Sequence, residues 1–316
     1  MQSTEQYAKI VSNSKRVRWD IDADVIRQRR FDYGHSFLPA GLSLVDEVGF
    51  LTDDERILLS QIQGRTYCYL FGLVERFIAA KVLALSGHHW FGSQVALEAL
   101  VRMADEELKH QELFRRLEDM MAAEMPAGYR RTADADAVAS LVLSKSTWAV
   151  LALTLHIELF TLAHYRASID GDADICPLWK DVFRSHWMEE SQHAVLDELE
   201  FLEEDARLPA PERDAAVDDL IALVVAIDGL LQQQAGADAA YFVQLRGGDA
   251  PRARAVQAAI LNAYRWQYIV SGVMQPRFQR VLFGTLDSTQ QERIGKALEP
   301  LMAARPVEPS AVTVEA

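Results

Sequence analysis

The chain contains a pattern of glutamates and histidines that occurs twice, with an offset of 83 residues. In each copy, a single glutamate precedes a Glu-x-x-His sequence by 32 residues. The two copies are Glu75, Glu107 and His110, and Glu158, Glu190 and His193. Residues three apart in an α-helix lie on one face, so each Glu-x-x-His presents both side chains in the same direction. The repeat therefore predicts two similar helix pairs whose polar side chains meet.

The spacing within each copy fits two antiparallel helices. From Glu75 the chain runs about 18 Å to the turn signal at Gly87, and then a similar distance back to Glu107. The second copy turns through Gly171 and Pro177 and returns in the same way. Each copy therefore brings its lone glutamate to nearly the same height as its Glu-x-x-His.

Glu75 and Glu158 lie in strongly apolar stretches, residues 69–80 and 150–160. A carboxylate facing such a core is costly unless it is paired or bound to a metal. Four carboxylates and two imidazoles at these spacings form the ligand set of a two-metal centre inside a four-helix bundle. Oxygen donors with a few nitrogens favour iron, with manganese as the alternative, and open positions on such metals activate dioxygen.

His186 breaks the symmetry of the two copies. It lies four residues before Glu190 and seven before His193, within about 60° of one helix face. The equivalent residue of the first copy is Met103. One interpretation is a buried histidine that packs or orients a ligand, and the other is a seventh metal ligand.

With this His-x-x-x-Glu-x-x-His sequence, the chain resembles the p-aminobenzoate N-oxygenase family of di-iron enzymes, over roughly residues 30–200 and including Asp32-Tyr33. The resemblance implies that Glu75 and His110 bind one iron and that Glu107 and Glu190 bridge the two. It further implies that Glu158, His186 and His193 bind the second iron. Other di-iron families share the six-residue set but usually lack the third histidine.

Two neighbouring glutamates leave the register open, because helix geometry alone would let either Glu106 or Glu107, and either Glu189 or Glu190, face the metals. The family pattern selects Glu107 and Glu190, which leaves Glu106 and Glu189 beside the site or facing solvent. The remaining histidines are predicted to pack, to lie on the surface or to lie near loops without a motif: His35, His88, His89, His156 and His164.

Composition predicts a helical protein. A net charge of −14 argues against a nucleic-acid partner, which requires a basic face. Cys68 and Cys176 give neither a disulfide framework nor a Cys-x-x-Cys cluster. The N-terminus has no apolar signal-peptide region, and the apolar stretch 141–160 is interrupted by Lys145 and contains Glu158. We expect a cytoplasmic protein without a membrane partner.

The fold class predicted is all-α, a ferritin-like four-helix bundle with one long crossover. Residues 1–51 form an N-terminal extension that packs on the bundle, with residues 1–14 mobile and a short helix near 22–30. The bundle occupies 52–206, with helices at 52–86 and 93–123, a crossover at 126–144, a third helix ending near 170 and a fourth at 177–205. Residues 207–304 add helices at 212–246, 250–284 and 288–303 to the same domain, and 305–316 form a disordered tail.

The function predicted is oxygenation of an aromatic or other small amine at nitrogen, through a peroxo-bridged diferric species. No Gly-x-Gly-x-x-Gly sequence is present, so electrons come from an external donor or the substrate. Two alternatives remain, a di-iron or Mn/Fe oxygenase that acts on carbon, and a non-catalytic iron-oxidising protein. The surplus of apolar C-terminal helices suggests a homodimer. Four residues there are candidates for a substrate wall or for simple core packing: Tyr264, Trp266, Tyr268 and Met274.

Overall fold

The computed structural model describes residues 2–306 and shows an all-α protein, with no strand among those residues. Its twelve α-helices are α1 (Gln2–Arg16), α2 (Ala40–Ser43), α3 (Asp53–Ser86), α4 (Gln94–Glu124), α5 (Ala135–Leu143), α6 (Thr147–His164), α7 (Pro177–Arg207), α8 (Ala210–Arg246), α9 (Ala250–Arg265), α10 (Ser271–Val273), α11 (Pro276–Thr285) and α12 (Ser288–Leu298). Three π-helical segments, Ile21–Ile26, Tyr165–Ile169 and Trp266–Val270, and two short 3₁₀ turns, Val45–Glu47 and Gly87–His89, complete the helical structure.

The first two predicted bundle helices begin at clear capping signals. The Thr52 side chain accepts a hydrogen bond from the backbone N–H of Glu55, and the Glu55 carboxylate accepts one from the backbone N–H of Thr52. This capping box satisfies two backbone N–H groups that the first turn of a helix leaves free. Ser93 caps α4 in a similar way. The predicted helices at 52–86 and 93–123 are confirmed to within about one residue.

A bundle-like arrangement of α3, α4, α6 and α7 forms the centre of the molecule. Helix α3 packs along α4, α6 packs along α7, and α4 packs against α7. Their facing sides bury large apolar side chains such as Phe77, Phe114 and Trp148. The buried surface of these side chains drives the association of the four helices.

The connection from α4 to α6 runs along α3 from its middle towards its C-terminal end. Its successive contacts on α3 are Tyr129 with Thr66, Ala133 with Tyr69, Asp136 with Arg76, and Thr147 with Lys81. The order of these contacts shows that the chain runs beside α3 towards its C-terminal end, so α6 starts near that end.

The N-terminal segment differs from the prediction. We predicted that residues 1–14 are mobile, and this is wrong where the structure describes them, because Gln2–Arg16 forms helix α1. Tyr7, Ile10, Val11 and Ser14 are buried against the bundle. Their spacing of three and four residues places them on one helix face.

The C-terminal helices also differ from the prediction at one point. The predicted helix over 250–284 is interrupted, because α10 ends at Val273 and Pro276 begins α11. Proline has no backbone N–H and clashes with the preceding turn, so it fits only the first turn of a new helix. Residues 307–316 of the predicted disordered tail lie outside the described part of the chain.

Helix α6 with its π-helical extension, Thr147–Ile169, is the one candidate among the described residues with the length and apolarity of a membrane span. Of its most apolar window, 89% is buried inside the protein. The apolar stretch therefore lies in the core of the structure.

Candidate metal centre

The seven predicted ligands converge in the middle of the bundle. Helix α3 supplies one, α4 two, α6 one and α7 three: Glu75, Glu107, His110, Glu158, His186, Glu190 and His193. All seven side chains are essentially excluded from solvent. Charged side chains are rarely fully buried without compensation, so such a concentration of them is a functional signal.

Two overlapping groups of donor atoms lie within this set. One consists of Glu75, His110, His186 and Glu190, and the other of Glu107, His110, Glu190 and His193. Within each group, one nitrogen or oxygen of every residue lies within 4.8 Å of the others. The two groups share His110 and Glu190, so they are adjacent.

Glu158 lies at the edge of these groups. Its carboxyl group hydrogen-bonds to the carboxylate of Glu190 and is close enough to His193 and Glu107 for electrostatic interaction. The structure therefore brings all seven predicted residues into one cluster, with Glu158 beside the second group.

The imidazoles of His110 and His193 are oriented in the same way. Nδ1 of His110 lies 3.0 Å from Glu190 Oε1, and Nδ1 of His193 lies 3.0 Å from Glu107 Oε1. Both Nε2 atoms point outward to other carboxylates. Nδ1 is therefore the nitrogen that each ring offers to the centre of the cluster.

The outward nitrogens settle the roles of Glu106 and Glu189, which the sequence left open. His193 Nε2 lies 2.8 Å from Glu106 Oε2, and His110 Nε2 lies 2.9 Å from Glu189 Oε2. The arrangement is reciprocal, because Glu106 on α4 orients a histidine of α7 and Glu189 on α7 orients a histidine of α4. Carboxylates in this position fix the tautomer of a metal-binding histidine and raise its basicity.

Each orienting carboxylate has further partners. Glu106 accepts hydrogen bonds from Ser14, at 2.6 Å, and from Gln192, at 3.0 Å. Glu189 is paired with Lys109, whose ammonium lies 3.8 Å from the centre of the Trp19 ring. Because Ser14 belongs to α1 and Trp19 follows it, the N-terminal segment completes the surroundings of both histidines.

The centre of the cluster contains buried polar atoms without hydrogen-bond partners in the described part of the chain. They include both carboxylate oxygens of Glu107, Oε1 of Glu190 and Nδ1 of His110. A buried polar group that makes no hydrogen bond costs roughly 1–3 kcal/mol. Metal coordination would satisfy these atoms, so the donor set and its geometry fit a pair of divalent cations.

The pKa values of four side chains in the cluster are shifted in the direction that adds positive charge. Burial and the neighbouring carboxylates raise the pKa of Glu75 and of Glu158 well above the usual range. Burial opposes protonation of His110 and His193, but the surrounding carboxylates hold the pKa of both imidazoles well above the ordinary value. These shifts indicate a cluster that favours added positive charge, which divalent cations would supply.

His186 lies on the other side of the cluster from the one implied by the family resemblance. Its Nε2 lies 3.2 Å from Glu75 Oε1 and 2.7 Å from Glu190 Oε1, and its ring is 4.5 Å from that of His110. Helix geometry explains this difference. Glu190 is in the middle of α7, and His186 and His193 extend from it in opposite directions along the axis, so they belong to different donor groups.

Burial lowers the pKa of His186. A lowered pKa favours the neutral imidazole, which is the form that binds metals. His186 is therefore a third imidazole that the first copy of the repeat lacks: it joins His110 beside Glu75, whereas His110 and His193 are grouped with Glu107.

A groove on the surface between α3 and α4 lies close to the cluster. It has a volume of about 430 Å³, and Gly72 and Phe114 are among its lining residues. The Phe114 ring lies 5.0 Å from the His186 ring. One aromatic side chain therefore separates the groove from the cluster.

The four C-terminal candidates for a substrate wall do not form a common surface. Tyr264 and Tyr268 are buried. Trp266 donates a hydrogen bond to the Gly41 carbonyl, and Met274 is 40% exposed. Tyr264 and Tyr268 are part of the packing between α9 and the bundle.

Among the remaining histidines, His156 and His164 are buried in the packing around α6, as predicted. His89, which the sequence left without a role, is also buried, and it lies beside Glu200. His89 lies in a loop, and its spacing to Glu200 matches no sequence motif. The contact between them is therefore visible only in the structure.

Searches of protein-family models and of curated proteins found no match for this chain. The interpretation of the site therefore depends on its geometry and on the chemistry of its side chains.

Proposed function

We propose that the protein is a non-haem di-iron oxygenase of the ferritin-like class that oxygenates an aromatic or other small amine at nitrogen. The observation that carries this proposal is the position of His186, whose Nε2 contacts Glu75 and Glu190 inside the cluster. Four carboxylates with three imidazoles form the donor set on which the resemblance to the N-oxygenase family depends. Iron is the metal that this set favours, and manganese is the alternative.

The chain holds the metals through the four helices of the bundle. Glu75, His110 and His186 would bind one metal, and His193 and Glu158 the other, while Glu107 and Glu190 lie between them. Two divalent cations would balance the charge of the four carboxylates. Bound iron in its reduced form supplies two electrons to dioxygen.

The protein residues around the centre orient the ligands and exclude water. Glu106 and Glu189 hold His193 and His110 in the tautomer that presents Nδ1 to the metal. Phe71 and Phe114 pack edge-on against His186, with ring centres 5.4 and 5.0 Å away. Such apolar contacts keep the cluster dry, which strengthens its electrostatic interactions.

A small amine would approach through the groove between α3 and α4. Its volume of about 430 Å³ suits a small aromatic molecule. In the overall reaction the amine nitrogen gains one oxygen atom and the second oxygen leaves as water. The two electrons and two protons required come from an external donor, and we propose a cytoplasmic setting where a reductase or small carrier provides them.

A single-turnover experiment tests this function. The protein is loaded anaerobically with ferrous iron, mixed with isotopically labelled dioxygen and a panel of aryl amines, and the products are identified by mass spectrometry. We expect one labelled oxygen on the amine nitrogen. The same product should be lost in Glu107→Ala and kept in Glu98→Gln, a partly exposed glutamate on the same helix that does not line the groove.

Two other results would decide against amine oxidation. Label found only on carbon, with C–H substrates, would favour a hydroxylase or desaturase. Oxidation of the iron with no labelled organic product from any substrate would favour an iron-oxidising protein.

A further inference from the structure

A second cluster of metal-binding side chains lies at the end of the bundle, where α3 turns into α4. His89 is the last residue of the 3₁₀ turn Gly87–His89, and Glu200 and Glu203 lie in the last turns of α7. One donor atom from each of these three residues lies within 4.8 Å of the other two. None of the three belongs to the dinuclear cluster.

The His89 imidazole points towards Glu200, and its Nε2 makes no hydrogen bond within the described residues. Its side chain is buried, with 7% of the residue exposed. Nε2 has no hydrogen-bond partner within residues 2–306 and lies 3.6 Å from Glu200 Oε1. The His89 carbonyl accepts hydrogen bonds from the backbone of Gly92 and the side chain of Gln94, which fixes the turn.

Glu200 is a buried carboxylate that lacks a permanent cation among its described contacts. The residue is 3% exposed, and its Oε1 accepts a hydrogen bond of 2.7 Å from the neutral Tyr7 hydroxyl. Glu203 is half-buried, receives a longer hydrogen bond of 3.5 Å from Tyr7, and pairs with Arg207. The Arg207 guanidinium only partly offsets the burial of these two neighbouring carboxylates, and a divalent cation would compensate both glutamates at once.

We propose that His89, Glu200 and Glu203 bind one divalent transition-metal ion and that this site loads the dinuclear centre. One imidazole and two carboxylates suit ferrous iron or manganese. Glu203 is partly exposed and offers the ion access from solvent, whereas His89 and Glu200 hold it inside. The cation site itself does not depend on the proposed amine oxidation, but its loading role requires that the dinuclear centre binds metal.

Asp197 connects the two metal sites. It lies between His193 and Glu200 on α7, and the three side chains fall within about 60° of one helix face. Asp197 is 1% exposed, and its Oδ2 has no hydrogen-bond partner in the described part of the chain. Residues three or four apart on a helix have Cβ atoms about 5–6 Å apart, so Asp197 provides an intermediate carboxylate over a distance of roughly 10 Å.

The Arg207 guanidinium would compete with the metal ion for the Glu203 carboxylate. Its guanidinium pairs with Glu203, contacts His88 and is partly exposed to solvent. An exposed ion pair of this kind contributes little to stability, so a divalent cation can displace it. Removal of the arginine charge should therefore strengthen cation binding.

Equilibrium dialysis against Mn²⁺, with electron paramagnetic resonance of the bound ion, tests the cation site. We expect His89→Gln and Glu200→Gln each to bind one Mn²⁺ fewer per chain than the native protein and to lose an uncoupled mononuclear signal. His88→Gln, the exposed neighbour, should keep the native stoichiometry, and Arg207→Gln should bind this ion more tightly. An unchanged stoichiometry in His89→Gln, with native circular dichroism, would refute the site.

The rate of metal uptake tests the loading role. Anaerobic stopped-flow mixing with Co²⁺ follows the ligand-field absorption of the dinuclear centre. His89→Gln should fill that centre about tenfold more slowly than the native protein and reach the same final absorption, since its seven ligands are intact. Native uptake rates in His89→Gln would rule out the loading role, and absence of absorption in the native protein would point instead to failure of the dinuclear centre.

Discussion

At the scale of single residues, two carboxylates at the edge of the cluster, Glu106 and Glu189, hold its histidines in position. The repeated spacing identified six of the seven buried residues, because a helix converts sequence distance into direction and height, and the third histidine followed from its place on the same helix face as the second Glu-x-x-His. The same rule did not decide between Glu106 and Glu107, since neighbouring residues differ by about 100° and two helices must be placed before either can be excluded. Once the helices are packed, Glu106 and Glu189 are seen to orient His193 and His110.

The outer carboxylates give a direct test at this scale. Glu189→Gln and Glu106→Gln should each weaken the binding of one metal by about tenfold to a hundredfold, because the imidazole loses its charged hydrogen-bond partner. Metal titration with Co²⁺, followed by absorption, measures the two affinities. Glu112→Gln on α4 is the matched control. Equal affinities in all three variants and the native protein would show that these contacts do not support the ligands.

The position of His186 illustrates what a resemblance cannot supply. The sequence placed it on the same face as Glu190 and His193, which is correct. Which metal it approaches depends on the direction of α7 relative to the other helices. The number of residues between two positions of a helix shows only whether their side chains share a face.

At the scale of elements, the long helices were predictable from their caps and turns. The helix α1 and the interruption of the helix predicted over 250–284 were not predicted. Helix α1 has a buried stripe at Tyr7, Ile10, Val11 and Ser14, but its polar composition concealed that periodicity. Pro276 was visible in the sequence, and its effect on the helix interior should have divided the predicted 250–284 helix.

A buried carboxylate joins three of the elements and makes their packing dependent on pH. Asp238 on α8 accepts hydrogen bonds from Thr66 of α3, from Tyr264 of α9 and from Gln234 one turn earlier. Burial raises the pKa of Asp238 to about 7, although these hydrogen bonds and the charge of Arg65 oppose the shift. Between pH 5 and 7 the folded state thus keeps a proton that the unfolded state has released.

This difference in protonation predicts the sign of the pH effect. Asp238 should contribute a fall in folding stability of about 2–3 kcal/mol as the pH rises from 5 to 7, because each pKa unit corresponds to about 1.4 kcal/mol. Asp238→Asn removes this titrating group and should make the decline over this pH range smaller. Denaturant unfolding at several pH values measures both proteins. A native profile without a decline, or an equal decline in Asp238→Asn, would contradict the assignment.

At the scale of the whole molecule, the fold surrounds a charged centre with apolar helices. Without metals, the buried carboxylates and imidazoles leave several polar atoms unsatisfied at the core of the bundle. Metal ions that bind the folded chain more tightly than the unfolded chain stabilise it by mass action, by about 3–4 kcal/mol at 100 to 1,000 times the dissociation constant. Metal binding and stability should therefore be linked.

Thermal unfolding measures this linkage. The melting temperature should rise when Mn²⁺ is added to the metal-free native protein and fall back when a chelator removes the ion. Glu107→Ala, which lacks a ligand shared by the two metals, should show a much smaller rise, whereas Glu112→Gln should behave as native. A rise of the same size in Glu107→Ala would place the stabilising ion elsewhere.

The central claim is that seven side chains of four helices hold two adjacent metal ions. Anomalous X-ray diffraction at the iron edge, on crystals grown after anaerobic loading with ferrous iron, tests it most directly. The account predicts two neighbouring anomalous peaks, one beside Glu75, His110 and His186 and the other beside Glu158 and His193, with Glu107 and Glu190 between them. A map with no anomalous peak among these residues, or with their side chains turned apart, would contradict it.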